Sequence, residues 1–319
     1  MSDKTGNHRS AETEKEIAIG LDFARKGKLE DALRKFTRAI ELGKGEYNGF
    51  RCRGITHARM GHHDAAISDF DKAIGKNPQC AECFFERAQV KMFNGRLDDA
   101  LVDISDCLRL NGRFAPAYSL RAGIHARKGL LKKALHDIEK ALSISPEKSE
   151  YFHNRAVIMT GLERYRDAIG DYLNAVELDP MSGGSYNNLA WLLVTARDSR
   201  YRDCKKAISF AQKALEIGKN PAWMDTLAAA YAECGAFKEA VRFEKEAYQR
   251  SKPPNKNFLK RLRIYRNGIS YAQWHENGGM TGRRSGSRSR KFEAASTFST
   301  HFVVCYSFEI LGKEALRFF

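Results

Sequence analysis

Between residues 14 and 267 the apolar positions recur at three- and four-residue spacing, the period of an amphipathic α-helix. The stretch GFRCRGITHARMGHHDAAISDFDKAIGKNP (49–78) shows this on both sides of Gly61. A glycine suits the left-handed turn that a helix C-terminus commonly needs. Pro78 cannot continue a helix and so closes the unit. The segment predicts two helices joined by a tight turn.

The same unit recurs along the chain. Ala32, Ala66, Ala100, Ala134 and Ala168 stand 34 residues apart, and Gly27, Gly61, Gly95 and Gly129 precede the first four by five residues. Small residues follow seven positions after each alanine, at Ala39, Ala73, Cys107, Ala141 and Ala175, and Pro78, Pro146 and Pro180 end three units. Small residues at fixed places let two helices approach closely, while Phe36, Phe70 and Tyr172 fill the space beside them.

A 34-residue unit with a glycine turn, Ala, Phe or Tyr, Ala and Pro resembles the tetratricopeptide repeat. NNLAWLLVTARD and DTLAAAYAECGAFKEAV resemble bacterial members of that family in particular. The resemblance extends over about 240 residues and implies an all-α fold, a right-handed solenoid of helix-turn-helix repeats. Seven repeats are expected at 13–46, 47–80, 81–114, 115–148, 149–182, 183–220 and 221–254, the sixth with about four extra residues near TARDSRYRDCKK. A polar segment (1–12) precedes them. A covering helix is expected within 255–272, with Phe258, Leu259, Leu262 and Tyr265 toward the array and its Lys/Arg outward. The Gly/Ser/Arg-rich 273–319 reads as a basic, disordered tail.

Four consecutive repeats carry Arg at their seventh position, Arg53, Arg87, Arg121 and Arg155, each followed sixteen residues later by Asp69, Asp103, Asp137 and Asp171. The other repeats have Ile19, Leu189 and Leu227 there and lack the Asp. Joint appearance suggests ion pairs between a first helix and a second helix, of the same repeat or of a neighbour. A solvated charge stripe is the alternative, and exposed pairs contribute only about 0–1 kcal/mol each.

The family binds ligands mainly on its first helices. Positions 2, 5, 9 and 12 form one stripe there, which here offers Arg51, Phe85, Gln89, Met92, Ser119, His153, Asn187, Trp191 and Asp225. Phe85, Met92 and Trp191 would be apolar anchors and Arg51, His153 and Asn187 orienting groups; packing beneath a neighbouring repeat is the alternative for the aromatics. The family's clamp for a chaperone's C-terminal carboxylate is not expected. Its Lys, Asn and Arg places hold Ile17, Leu21, Cys52, Glu82 and Glu86, or His153, Val157, Asn188, Ala222 and Thr226, of which only Asn188 fits.

No phosphate loop, H-E-x-x-H, G-x-S-x-G or kinase signature occurs, and about 47 residues after the covering helix are too few for a catalytic domain. Neither an enzyme nor a cofactor is expected. Cys80 and Cys83 form a C-x-x-C without a second ligand pair, so no metal site is expected. Seven scattered Cys read as free thiols of a reducing compartment. No apolar run approaches the roughly 18 residues of a membrane span, and the expected location is cytoplasmic.

Residues 251–319 hold thirteen Lys/Arg against four Asp/Glu, so +9 of the net +15 lies there. Arg283, Arg284, Arg288, Arg290 and Lys291 could meet phosphates without sequence preference. The expected function is thus a scaffold holding a peptide or helix of a partner protein, with a tail contacting nucleic acid as the alternative.

Overall fold

The computed structural model describes residues 3–43 and 46–277, with side chains from residue 10. Among them are sixteen α-helices and no strand. First helices are α1 (Asp3–Arg25), α3 (Tyr47–Arg59), α5 (Ala81–Phe93), α7 (Ala115–Arg127), α9 (Ser149–Gly161), α11 (Gly183–Thr195) and α13 (Pro221–Glu233). Their followers are α2 (Leu29–Leu42), α4 (His63–Lys76), α6 (Leu97–Leu110), α8 (Leu131–Ile144), α10 (Tyr165–Leu178), α12 (Cys204–Ile217) and α14 (Phe237–Arg250). Helices α15 (Lys256–Arg266) and α16 (Tyr271–Glu276) end the described chain. The polar start is helical from Asp3, as part of the 23-residue α1.

The chain divides into two units, residues up to Ile124 and residues from His125. In the first, α1 packs on α2, α3 on α4 and α5 on α6, and α2 also packs on α3 and α4 on α5. In the second, α9 with α10, α11 with α12 and α13 with α14 do the same, and α15 packs on α14. The 34-residue period has a direct reading here. From α3 to α10 the helices run 13 residues, then 14, with turns between.

Ala32, Ala66, Ala100, Ala134 and Ala168 are wholly buried at the start of their second helices. The eighth residue of each second helix is buried beside them: Phe36, Phe70, Ile104, Ile138, Tyr172, Ala211 and Glu244. Against Phe70 the neighbouring first helix presents Gly54, where a Cβ would come within 3.0 Å of the ring. Six of the seven within-repeat turns place one residue at positive φ, such as Gly61 at 77°; at the fifth the non-glycine Glu163 takes it, at 60°, and the longer sixth turn has none.

Arg53 and Asp69, Arg87 and Asp103, and Arg155 and Asp171 each meet within a repeat. Arg53 donates to Asp69 through two bonds of 2.8 Å, Arg87 to Asp103 at 3.0 and 2.7 Å, and Arg155 to Asp171 at 2.7 Å twice. Arg53 also donates to Thr37 of α2 at 3.1 Å and Arg87 to Asp71 of α4 at 2.5 Å, so each ties its own repeat to the preceding second helix. Each guanidinium lies over a ring three residues earlier: Arg53 over Phe50, Arg87 over Phe84, Arg121 over Tyr118 and Arg155 over Phe152, at 5.4–5.8 Å. An i, i+3 pair shares a helix face, so this aromatic was visible in the sequence although only the aspartate was read. Asp137 receives His125 Nδ1 at 2.9 Å.

The cysteines depart from the free-thiol expectation. Cys80 is disulfide-bonded to Cys83, and Cys204 to Cys234, while Cys52 and Cys107 are free and buried. The second bond joins residues 30 apart because stacking brings the start of α12 beside the end of α13, with a Cα–Cα distance of 5.5 Å. The inference from free thiols to a reducing compartment therefore lapses. No helix among the described residues is long and apolar enough to cross a membrane.

Alkylation of the denatured chain without reductant should modify Cys52 and Cys107 and spare Cys80, Cys83, Cys204 and Cys234 until dithiothreitol is added; modification of the latter four beforehand would overturn the pairing. For the ion pairs, Arg155→Met and Asp171→Leu should each cost about 1–3 kcal/mol in urea unfolding, since each leaves a charged hydrogen-bonding group unpaired. The double variant should cost about as much as one alone, whereas additive costs would mean the pair carries no coupling.

Candidate functional site

In each unit the first helices touch one another: α3 lies against α1 and α5, and α11 against α9 and α13. A row of first helices in direct contact forms the inner layer of a two-layer array. The candidate residues of the sequence fall on these helices.

In the first unit, Arg51 on α3 is engaged by Glu86 on α5, with Nε and Nη2 donating at 3.0 and 2.6 Å. Burial pushes the Glu86 carboxyl up, to about 7, against the pull of Arg51. Phe85 is buried and meets Phe114 edge-on at 5.1 Å. Met92 and Ser119 are buried and Gln89 is half-buried. Arg51 thus joins two neighbouring first helices, with Glu86 as the partner that the sequence stripe did not include.

In the second unit, the candidates form a polar row across α9 and α11. His153 is buried, and its Nδ1 lies 2.8 Å from Ser185 Oγ, which in turn is 2.8 Å from Ser182 Oγ. Asn187 Nδ2 donates to Asn188 Oδ1 at 3.3 Å. Among the described residues, His153 Nε2 and Asn187 Oδ1 have no hydrogen-bond partner. Burial lowers the His153 pKa to about 4, so the imidazole is neutral near pH 7.

Trp191 and Asp225 are placed differently from the expectation that they face a ligand. Trp191 is 8% exposed, its ring 5.1 Å from that of Tyr271 on α16. Asp225 is wholly buried and receives Arg261 Nε of α15. The chain's own last helices cover both. The basic candidates Arg283, Arg284, Arg288, Arg290 and Lys291 lie outside the described residues, as does Cys305.

Profiles of the tetratricopeptide repeat match residues 53–104, 115–148 and 222–252. The chain is a tetratricopeptide repeat protein. Among curated proteins none matches it in sequence. A crystal structure of a tetratricopeptide repeat protein from Parabacteroides merdae ATCC 43184 is similar at 16% identity, covering 81% of this chain and 100% of that one with a TM-score of 0.62. A chain of the APC/C hetero-tetramer Cut9-Hcn1 is similar at 16% identity and a TM-score of 0.61, covering 70% of this chain and 46% of that one. At such identity the likeness concerns the fold alone.

This tetratricopeptide repeat protein also holds a buried charge cluster that the sequence reading missed. Arg261 sits on the buried stripe of α15 with Phe258, Leu262 and Tyr265, not outward with its other Lys/Arg. Leu259, also expected inward, is half-buried. Besides Asp225, Arg261 Nε lies 3.6 Å from Glu244 Oε1. Its guanidinium stacks over Trp191, Phe258 and Tyr271 at 5.5–6.0 Å. Burial, then the nearby Asp225 charge, raises the Glu244 pKa well above the usual carboxylate range, with Arg261 opposing. One signal was available: Glu244 occupies the place where other second helices carry Phe36, Phe70, Ile104, Ile138 or Tyr172.

His153 makes the site acid-sensitive in a defined direction. Its folded pKa lies below the ordinary 6.5, so its contribution is present above pH 6.5 and lost as pH falls toward 4. Between pH 7 and 4.5 the wild type should lose about 2–3 kcal/mol more stability than His153→Gln, read by urea unfolding at both pH values. Parallel losses in the two proteins would mean that His153 titrates as an exposed histidine does.

Proposed function

We propose that the chain is a protein–protein interaction scaffold that holds a peptide segment or helix of a partner on the inner face of its repeats. The observation that carries this reading is the polar row of the second unit. A buried acceptor or donor without a partner costs about 1–3 kcal/mol, and buried polar groups are nearly always satisfied. Asn187 Oδ1 offers an acceptor, and His153 Nε2 offers a donor or an acceptor according to its tautomer. A peptide backbone carries both complements, N–H and C=O. Membership in a repeat family of preformed binding surfaces supports the same reading, and no catalytic step is assigned. A second role, contact of the 283–291 basic cluster with nucleic-acid phosphates, rests on sequence charge alone.

Affinity capture with the full chain, against a His153→Leu/Asn187→Leu variant of unchanged circular dichroism, tests the reading. Proteins retained by the wild type and lost by the variant, identified by mass spectrometry, are the expected result. Equal retention by both would remove the inner face of the second unit as the site. Retention of nucleic acid alone, abolished by salt, would favour the tail.

A further inference from the structure

Helices α15 and α16 start as a further repeat would, with a first helix, a left-handed glycine (Gly268, φ 68°) and a second helix. The second helix then goes elsewhere. In place of joining the outer row, α16 packs on the first helices α11 and α13 as well as on α15. It is therefore seated on the inner face of the last two repeats.

A six-residue helix is not stable alone, because nucleation costs more than one turn of hydrogen bonds returns. What holds this one is visible at three points. Ser270 and Gln273 close a capping box at its start. Tyr271 is buried against Trp191, with Trp274 packed on the same apolar cluster. At its end, Glu276 Oε1 forms an ion pair with Arg202 Nη2 at 3.0 Å. Arg202 follows the short 3-10 turn at Ser199–Tyr201, in the extra segment of the sixth repeat, and also faces Glu233 at 3.6 Å. That segment, tied by the Cys204–Cys234 disulfide, presents a cation to whatever helix lies on α11 and α13. One turn of α11 before Trp191 stands Asn187, with its unmatched Oδ1.

We propose that the inner face of α11 and α13 is a helix-docking site filled at rest by the chain's own Tyr271–Glu276. Its external ligand is a partner helix with two aromatic residues three apart and a carboxylate two residues further on, the pattern of Tyr271, Trp274 and Glu276. This deepens and rests on the scaffold reading above. A tethered segment acts at an effective concentration on the order of millimolar. The resting occupant thus lowers the apparent affinity of any competitor by the fraction of chains in which the face is open. The larger buried cluster anchors α15 through Arg261, so α16 can leave while the cover of the last repeat stays in place.

The test uses a fluorescent peptide of residues 270–277 (SYAQWHEN) and the full chain. Tyr271→Ala/Trp274→Ala, which empties the face, should bind the peptide at least about tenfold more tightly than the wild type. Adding Trp191→Ala or Arg202→Ala should reverse that gain. A milder variant, Glu276→Arg, sets a cation against Arg202 and should give a smaller gain in the same direction, which covers the case of a double variant that misfolds. Amide hydrogen exchange on the wild type reads the seat directly: slowed exchange over 271–277 supports it, and exchange at the free-peptide rate overturns it. Equal peptide affinity for the wild type and both loosened variants, or a gain indifferent to Trp191→Ala, also overturns it. Such a failure alongside a protein partner lost on His153→Leu/Asn187→Leu would leave the scaffold standing. Peptide binding unlocked by the variants, with no protein captured by any form, would support the docking site and count against the scaffold.

Discussion

A pair of antiparallel helices can bury only part of its apolar surface within itself, and the rest must be covered by the next pair. That constraint organises each unit of this chain. The alanine at the start of every second helix lets the pair close, and in all but α12 a bulky eighth residue fills the gap to the neighbour. The arrangement has no natural end, because the last pair always leaves a face uncovered. Here α15 covers it with Phe258, Leu262 and Tyr265. The place that is apolar elsewhere carries Glu244, and the cover brings Arg261. A buried guanidinium costs several kcal/mol unless paired; the enclosed Asp225 supplies the opposite charge, while burial favours the protonated form of Glu244. Losing either Arg261 or Asp225 would leave the other charge buried and unpaired, so the cluster ties this cover to this repeat.

The Arg–Asp pairs of the repeats apply the same logic at lower cost. The guanidinium groups of Arg53, Arg87 and Arg155 each lie over an aromatic ring of their own helix and fork onto a carboxylate of their own second helix. Where Thr37 or Asp71 is within reach, a spare nitrogen ties the preceding second helix as well. Arg suits this because its planar fork satisfies several acceptors in fixed directions. A slip of one helix past another would strand a partly buried charge.

The inner faces carry a different chemistry. In the first unit the Arg51–Glu86 pair closes on itself between two first helices. In the second, a serine, histidine and asparagine row is left partly unmatched next to an aromatic seat already taken by α16. A rigid stack with one short helix lying across it separates two stabilities. The stack is held by buried contacts along its length, the short helix by Tyr271 against Trp191 and Arg261, by Trp274, a cap and a half-exposed ion pair. Elements of the second kind open locally at low free energy.

Helices, turns and their period were legible in the amino-acid order, because they depend on contacts three and four residues apart and on turn residues such as Gly61. The pairing of Arg53 with Asp69 was legible for a related reason: two residues that appear and vanish together at a fixed offset report one contact. Whether that contact lay within a repeat or between repeats was decided only by the stacking. The same holds for Cys204 with Cys234, for Arg51 with Glu86, and for Arg261 with Asp225, whose partners lie 30 to 36 residues away. Helical periodicity tells which side of a helix is apolar, but not which element arrives to cover it. Trp191 and Asp225 therefore read as open groove residues in the sequence and are enclosed in the fold, where Arg261 of α15 reaches Asp225 and α16 returns over the inner face.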